Sequence, residues 1–292
     1  MLPFPPGTFN VPAGSISKKT SALLLVLALL LMSGGCGLIY YSTVARPAQL
    51  RAGATATALV LLNLTATVNT QATDTAQNST RATVTAAKQA TTQAQATATV
   101  LQNLYARSTQ GTPAFFSPLT SQDGGNWDVY NTVSGGGCAF RGGALHSSIQ
   151  QKSFYVPCFA HATRFTNFVL QAEMTIVKGD QGGLIFRAND TLSQFYSFRV
   201  SSDGTYSLYL SKDDRHSTPL LYDASSFIKP DSGGTNLLTV IAKGSNLYLY
   251  VNKQCVGSLN DATYNSGKIG VFAGDNNNAT DVAFRNVQIW KI

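Results

Sequence analysis

Pairs of carboxylates carry much of the acid–base chemistry of enzymes. The chain has a single glutamate, Glu173, and no second acid lies near it on the same predicted strand. A glycosidase needs two carboxylates flanking the bond that it breaks, and this segment does not supply them. Asp213 and Asp214 fall in a Lys- and Arg-rich turn, where aspartate commonly caps the backbone. The sequence therefore assigns no catalytic residue.

Histidines and metal ligands offer a second chemistry. His146, His161 and His216 have no marked partner in the sequence, and each is better explained as a surface or loop residue than as a catalyst. The cysteines lack the close spacing of a zinc site. Residues 275–281 are rich in side-chain oxygens that could hold Ca²⁺, but their spacing matches no EF-hand loop and suits a turn. We therefore expect no metal and no cofactor.

The cysteines also bear on oxidation state. Cys138 and Cys158 flank one short stretch of the chain, whereas Cys36 lies in an apolar segment and Cys255 in a later strand. In an oxidising compartment, Cys138–Cys158 is the favoured disulfide, closing a loop of about twenty residues that stabilises the fold by ~3 kcal/mol. The alternative is that Cys138, Cys158 and Cys255 are all buried thiols.

An apolar segment near the N-terminus predicts a membrane anchor. Residues 21–44 are long and apolar enough to cross a hydrocarbon core as a helix. Two lysines precede them, so residues 1–20 are predicted to be a cytoplasmic tail of a single-pass membrane protein. A cleaved signal peptide and a lipoprotein modified at Cys36 are the alternatives. In all three cases the C-terminal part is extracytoplasmic.

Charge is distributed in a way that argues against nucleic acid as a partner. The whole chain has a formal net charge of +7, but residues 113–292 carry 14 basic and 13 acidic residues, a net charge of only +1. A nearly neutral domain lacks the basic surface that nucleic-acid binding requires.

Residues 45–112 form a compositionally distinct segment. Between residues 52 and 106 there are 15 Ala and 14 Thr, with no Pro. So little apolar bulk cannot build a core. Ala, Gln, Lys and Arg favour a helix, whereas a Thr-rich tract can also stay extended. We predict a helical stalk in preference to a disordered one, and a coiled-coil seam fails after two turns.

From residue 113 onward the apolar pattern changes to a period of two, which predicts β-strands. In residues 168–176, for example, every second residue is apolar and faces one way. Short strands of this kind, separated by Gly, Asn, Asp and Ser turns, predict an all-β, antiparallel two-sheet sandwich over residues 113–292.

The same alternation selects candidate ligand-binding residues. If residues such as Leu184 and Phe198 face the core, six polar or aromatic side chains face the opposite way. They are Glu173, Arg187, Arg199, Tyr209, Tyr248 and Tyr250. Tyr rings stack on sugars, and Arg and Glu hydrogen-bond to hydroxyl groups, so the group is a predicted binding face. The alternative is a set of ordinary cross-strand pairs that stabilise the sheets.

Several segments also resemble a known family. They are residues 168–173, 182–187 (Gly-Gly-Leu-Ile-Phe-Arg), 195–199, 247–252 and 267–272. Residues 130–292 resemble concanavalin A-like jelly rolls, with laminin-G-like modules and 3-keto-disaccharide hydrolase-like domains as the nearest groups. The resemblance implies a two-sheet jelly roll with a carbohydrate-facing concave side. The related glucanases place acids at near-alternate positions of one strand, and this chain lacks that set.

Three functions follow from these observations. We expect a membrane-anchored extracytoplasmic module that binds carbohydrate or another cell-envelope ligand without catalysis. A glycan-directed hydrolase similar to the 3-keto-disaccharide hydrolases is the first alternative, and a structural or protein-sensing ectodomain is the second. The expected partners are the membrane, through residues 21–44, and a carbohydrate or cell-envelope ligand.

Overall fold

The computed structural model describes residues 57–230 and 233–292, with side chains from residue 67 onward. The chain divides into two units between Lys88 and Gln89. The predicted tail and membrane span, residues 1–20 and 21–44, lie outside the described residues. In the described part of the chain, no helix combines the length and apolar character needed to cross a membrane.

Most of the Ala/Thr-rich segment forms one α-helix, α1 (Thr57–Ser108), as its composition predicts. Threonine hydroxyls on α1 donate to the backbone carbonyl four residues earlier, as from Thr73 to Asn69 (2.7 Å) and from Thr97 to Gln93 (2.9 Å). These bonds satisfy hydroxyls that would otherwise compete with the helix. The side chains of residues 67–100 are exposed, so the helix propensity of the alanines and other good helix formers accounts for this stretch of helix.

The residues after α1 form two antiparallel sheets. Within the described residues, the larger sheet contains β1 (Phe115–Ser117), β2 (Tyr130–Asn131), β3 (Gly136–Arg141), β4 (Ala144–Ile149), β6 (Phe168–Lys178), β11 (Thr235–Lys243), β12 (Asn246–Val251), β13 (Gln254–Asn260) and β15 (Thr280–Lys291). The smaller sheet contains β5 (Phe154–Phe165), β7 (Gln181–Asn189), β8 (Gln194–Ser201), β9 (Thr205–Ser211), β10 (Ser217–Ala224) and β14 (Gly267–Asp275).

Strand order crosses between distant parts of the sequence. The larger sheet runs β13-β12-β11-β6-β15-β4-β3-β2, with β1 also paired to β15, and the smaller sheet runs β10-β9-β8-β7-β14-β5. The connections β6–β7 and β14–β15 carry the chain from one sheet to the other. The predicted two-sheet antiparallel jelly roll is confirmed.

The core lies between the sheets, where the alternating apolar residues meet. Leu184 and Phe198 of the smaller sheet and Leu247 and Leu249 of the larger sheet are completely buried in one cluster. Each such side chain contributes ~1.5–3 kcal/mol on burial. The inward-facing positions predicted from the period of two are therefore correct.

A disulfide joins the two sheets. It links Cys138 in β3 to Cys158 in β5, and both residues are buried. The predicted pairing is confirmed. Cys255 in β13 is a partly buried thiol, and burial raises its pKa.

The end of α1 packs on the outer face of the larger sheet. Tyr105 joins Val169, Ile241 and Trp290 in an apolar cluster. Gln171 donates a hydrogen bond to the Tyr105 hydroxyl at 2.7 Å. This part of the outer face is therefore covered by protein.

Candidate ligand-binding cleft

The six predicted ligand-binding residues do not share one face. Glu173, Tyr248 and Tyr250 project from the outer face of the larger sheet, whereas Arg199 and Tyr209 project from the outer face of the smaller sheet. Arg187 turns inward. The expectation of a single face is wrong, because alternation separates inward from outward positions but does not say which of the two outward faces a residue occupies.

The end of α1 removes Tyr250 from solvent. Its side chain is completely buried, and its hydroxyl donates to the carbonyl of Leu101 at 2.9 Å. Its ring centre lies 5.2 Å from that of Tyr105, and Tyr248 packs against the same cluster. These two tyrosines therefore hold the helix end to the sheet.

Glu173 occupies an ordinary cross-strand position. Its register partner in β15 is Arg285, and its partner in β11 is Leu237. The Arg285 guanidinium donates to the carbonyls of Gly142 and Gly143, both at 2.8 Å. Among the described residues no ion pair within 4.0 Å joins Arg285 to Glu173, so Glu173 has only a register neighbour of opposite charge and no fixed partner.

Arg187 is a structural residue. It sits at a β-bulge with φ of 51° and is 1% exposed. Its guanidinium donates to the carbonyls of Thr166 (3.1 Å), Gly244 (2.8 Å) and Tyr264 (3.0 Å). The bulge reverses the direction that alternation predicts for this side chain. Arg187 thereby joins three connecting segments that are distant in sequence.

Arg199 and Tyr209, by contrast, are in contact. They lie on the neighbouring strands β8 and β9, with the guanidinium carbon of Arg199 4.1 Å from the centre of the Tyr209 ring. The same carbon lies 5.7 Å from the centre of the Phe272 ring, and Nε of Arg199 donates to Oγ of Ser197 at 3.2 Å. Both aromatic rings can stabilise the cation through their π-faces.

A polar cavity of about 320 Å³ opens above this pair. Besides Arg199 and Tyr209, its lining includes Asp180, Gln181, Ser207, Tyr222, Asn276 and Asn277. The Tyr222 side chain is 68% exposed, so its ring stands at the margin of the cavity. Small-molecule sites commonly enclose ~300–1,000 Å³ and carry a few convergent polar groups. We call this cavity the Arg199 cleft.

Asp180 fixes one wall of the Arg199 cleft. Its Oδ2 accepts hydrogen bonds from the backbone N–H groups of Asn276 (2.8 Å), Asn277 (2.7 Å) and Asn278 (2.9 Å), and its Oδ1 accepts one from Nδ2 of Asn278 (2.7 Å). Burial raises the pKa of Asp180, but these hydrogen bonds outweigh burial and hold its pKa below the usual value. Asp180 is therefore an ionised anchor for the loop.

The oxygen-rich stretch 275–281 is thus a turn held by Asp180. Gln181 also donates to Oδ1 of Asn276 at 2.9 Å, which fixes that side chain toward the cleft wall. Among the described residues, no group of three or more His, Cys, Asp or Glu side chains is placed to hold a metal ion. The sequence indicates this wall of the cleft as an Asp/Asn-rich turn. It does not indicate that the distant residue Asp180 holds the turn in place.

Aromatic side chains continue the outer face of the smaller sheet beside the cleft. Tyr155, Phe195 and Phe272 pack edge to face, with ring centres 6.1 and 6.4 Å from that of Tyr155. A Cβ on Gly183 would lie 1.9 Å from the carbonyl oxygen of Phe198 and 2.8 Å from the Phe272 ring. Glycine at this position therefore lets Phe272 lie flat enough to support Arg199.

A second polar cluster lies beyond these rings, around His161. Nε2 of His161 lies 2.6 Å from Oδ1 of Asp128, and Nδ1 lies 3.2 Å from Oδ2 of Asp190. Lys268 donates to both oxygens of Asp190 at 2.8 Å. Burial opposes ionisation of Asp190, yet Lys268 keeps its pKa below the usual value. Both ring nitrogens of His161 therefore have carboxylate partners, and the three groups form one linked set that can hold and pass a proton.

The sequence marks no partner for any of the three histidines, but in the structure each one has an aspartate partner. Besides His161, His146 lies 2.8 Å from Asp281 and His216 lies 2.8 Å from Asp213. The first of these partners is 135 residues away, so only the folded chain brings the pair together. Turn residues explain the second pair, because Asp213 also accepts backbone N–H bonds across its own turn.

Comparison with known proteins places this domain in a family. No curated protein matches the sequence. A carbohydrate-binding module, CBM66 from Bacillus subtilis, shares 15% identity at a TM-score of 0.44, covering 61% of this chain and 96% of that one. A Bacillus subtilis protein of unknown function with a galectin-like fold shares 16% at 0.48, covering 62% and 97%. A Bacillus licheniformis beta-glucanase shares 9% at 0.44, covering 63% and 100%.

The family described as the 3-keto-alpha-glucoside-1,2-lyase-like domain matches residues 119–290. This range contains both sheets apart from β1 and the last residue of β15, and it includes the Arg199 cleft and the His161 cluster. It also covers more than half of the 292 residues. The chain therefore belongs to the 3-keto-alpha-glucoside-1,2-lyase-like domain family.

Proposed function

We propose that this protein binds carbohydrate, without catalysis, in the Arg199 cleft of an extracytoplasmic domain. One observation carries the proposal: the Arg199 guanidinium stacks on the Tyr209 ring, 4.1 Å from its centre, in a polar cavity of about 320 Å³. A sugar has apolar ring faces and a rim of hydroxyl groups. A site for it needs aromatic surface together with several fixed hydrogen-bonding groups.

The walls of the cleft supply such groups in fixed positions. Asn276 and Asn277 are held through their backbone by Asp180, and Gln181 is held by Asn276. Tyr222 adds an exposed ring at the margin. Because these groups are already ordered, binding a sugar costs little conformational entropy of the protein.

The carboxylates of the cleft support binding more than hydrolysis. Asp180 accepts four hydrogen bonds from its loop, and Oδ1 of Asp203 accepts from the backbone N–H (2.9 Å) and hydroxyl (2.6 Å) of Thr205. A glycosidase needs one carboxyl group that carries a proton and a second that faces the reacting carbon. Carboxylates that cap turns are poorly suited to either role.

Placement outside the cytoplasm is part of the proposal. The Cys138–Cys158 disulfide is typical of an oxidising compartment. We assign residues 21–44 as a membrane span, residues 45–112 as a stalk and residues 113–292 as the displayed domain. Labelling an introduced cysteine at exposed Asp214 with a membrane-impermeant maleimide on intact cells tests this topology. Labelling only after lysis would contradict it.

Direct binding measurements test the function itself. The full-length chain, purified in detergent, would be applied to a glycan array and hits measured by isothermal titration calorimetry. We expect Tyr209→Ala to weaken binding and Tyr248→Ala to preserve it, since these half-buried tyrosines lie on opposite sheets. Absence of any glycan ligand, or equal loss in both variants, would count against the Arg199 cleft.

A second candidate function is a glycan-directed lyase or hydrolase, favoured by the family and by the His161 cluster. The family description names a lyase acting on 3-keto-alpha-glucosides. Elimination across C1 and C2 of such a sugar removes the C2 proton to a base and expels the aglycone oxygen from C1, where that oxygen takes up a proton. The linked Asp128–His161–Asp190 group, in which both imidazole nitrogens have carboxylate partners, can accept one proton and return another. Release of the aglycone from a 3-keto-disaccharide, lost in His161→Asn but retained in Arg199→Gln, would establish this activity in place of simple binding.

A further inference from the structure

Arg199 is a cation without an acidic partner. In the described part of the chain, no carboxylate oxygen lies within 4.0 Å of its guanidinium nitrogens. The protein contacts of the group are Oγ of Ser197 and the rings of Tyr209 and Phe272. Nε is thus engaged, whereas the terminal nitrogens have no protein acceptor among the described residues and belong to a side chain that lines the cleft.

The contrast with Arg187 shows what is unusual about Arg199. Arg187 is more deeply buried, but three backbone carbonyls accept its N–H groups. Partial burial lowers the pKa of Arg199, yet an arginine stays charged at any physiological pH. Withdrawing a charge from water without an opposite charge is unfavourable. The two terminal nitrogens of such a guanidinium are donors in fixed positions that can bind an anionic group.

The carboxylates lining the cleft do not neutralise this charge. Asp180 directs its oxygens at the loop Asn276–Asn278, and Asp203 caps an exposed turn. The oxygens of both carboxylates lie more than 4.0 Å from the guanidinium nitrogens. They would repel a dense cluster of negative charges, so the cleft suits a ligand that presents one carboxylate to Arg199 and hydroxyl groups to the remaining walls.

We propose that the ligand is an acidic sugar, a hexuronic acid unit of a polysaccharide, with its carboxylate bound by the terminal N–H groups of Arg199. A planar carboxylate matches a guanidinium in a bidentate arrangement. The Tyr209 ring below the guanidinium keeps it in place, and the exposed Tyr222 ring offers a surface for the pyranose face. This inference rests on the proposed function and names its class of sugar.

Matched pairs of ligands test the inference. Oligogalacturonates and oligoglucuronates would be compared with their carboxyl-reduced, neutral counterparts by calorimetry on the full-length chain. Because hydrogen bonds to charged groups are stronger than those between neutral groups, we expect an acidic oligosaccharide to bind at least about tenfold more tightly than its neutral counterpart. The preference should shrink as salt concentration rises.

Variants of Arg199, compared with a variant of a distant arginine, test whether Arg199 causes the preference for acidic ligands. Arg199→Gln should remove the preference for the acidic form, and Arg199→Lys should retain only part of it, because a lysine keeps the charge but not the planar donors. Arg285→Gln, an equal loss of charge on the opposite sheet, should leave the preference unchanged. Thermal unfolding of each variant checks that it is folded. If Arg199→Gln does not fold, Arg199→Lys alone decides the role of the guanidinium.

The outcomes separate this inference from the proposed function. Equal affinity for acidic and neutral forms would overturn the acidic-sugar assignment and leave carbohydrate binding intact. A preference that persists in Arg199→Gln, or in Arg199→Lys at full strength, would overturn the role of Arg199. Failure to bind any acidic or neutral oligosaccharide would overturn the inference together with the function on which it rests.

Discussion

The Arg199 guanidinium carbon lies 4.1 Å from the centre of the Tyr209 ring, and the two side chains come from adjacent strands of one sheet. Arg199 pairs in register with Ser207, so Tyr209 is its diagonal neighbour on the same face. Long side chains reach across such diagonals. The contact therefore follows directly from strand register, and it places a charged group and an aromatic ring at one wall of the cleft.

Replacing Tyr209 by leucine should weaken ligand binding more than it weakens the fold. The substitution keeps apolar volume but removes the π-face that holds the guanidinium, a contact of ~0.5–2 kcal/mol. We expect about a two- to thirtyfold loss of affinity for the glycan ligand. Calorimetry measures the affinity and urea unfolding the stability. A large loss of stability at unchanged affinity would show that Tyr209 is only structural.

Acidification should loosen the cleft wall through Asp180. The folded-state pKa of this residue is lowered, so its contribution to stability is fully present above the unfolded value of ~3.9 and is lost as pH falls through the lower folded value. Asp180→Asn should remove that part of the pH dependence. Urea unfolding of both proteins from pH 6 to 3 tests this. If the difference in their free energies of unfolding does not narrow toward acid, the hydrogen bonds to Asp180 do not act as described.

Periodicity predicted the sandwich because its signal is local. Each strand shows its inward side in its own residues, as Leu184 and Phe198 illustrate, and the two sheets follow from burying those sides together. The Cys138–Cys158 pair was likewise predictable, since the two cysteines are only 20 residues apart in the sequence. Neither inference needs knowledge of which strands are neighbours.

Predicting the candidate site would require knowing the order of the strands in each sheet, which the sequence does not reveal. The alternation of apolar residues predicts the same outward direction for Tyr209 and Tyr250. In the structure Tyr209 lines the cleft, whereas Tyr250 lies under α1. The outward direction predicted for the Arg187 side chain is wrong for another reason. A bulge shifts the register within β7, and no residue nearby marks a bulge unambiguously in the sequence. The Asp180 anchor and the Asp128–His161–Asp190 cluster join residues far apart in the chain, so they emerge only in the folded protein.

Arg187 should matter for stability. Replacing it with methionine keeps most of the apolar stem but leaves the carbonyls of Thr166, Gly244 and Tyr264 without this donor. Since charge-assisted hydrogen bonds contribute ~1.5–3 kcal/mol each and these act together, we expect a loss of ~3 kcal/mol or more. Arg215→Met, at a side chain that is 83% exposed, is the control and should change stability little. Equal effects in urea unfolding would contradict the assignment.

Replacing Gly183 with alanine should destabilise the fold. It should also weaken ligand binding in the Arg199 cleft. In Gly183→Ala the new Cβ would lie 1.9 Å from the Phe198 carbonyl oxygen and 2.8 Å from the Phe272 ring, so β7, β8 or the ring must move. Overpacking of this kind typically costs ~1–3 kcal/mol. Because Phe272 also contacts Arg199, we expect weaker ligand binding in the folded variant.

The matched control for Gly183 is Gly124→Ala, where a Cβ meets no atom within 4 Å. Alanine there should be neutral or slightly stabilising, because it mainly restricts the unfolded chain. Urea unfolding compares the two variants, and calorimetry then compares their ligand affinities. If Gly183→Ala matches Gly124→Ala in both measurements, the close approach of Phe272 to the strand does not position Arg199, and the aromatic side chains beside the cleft have no part in shaping it.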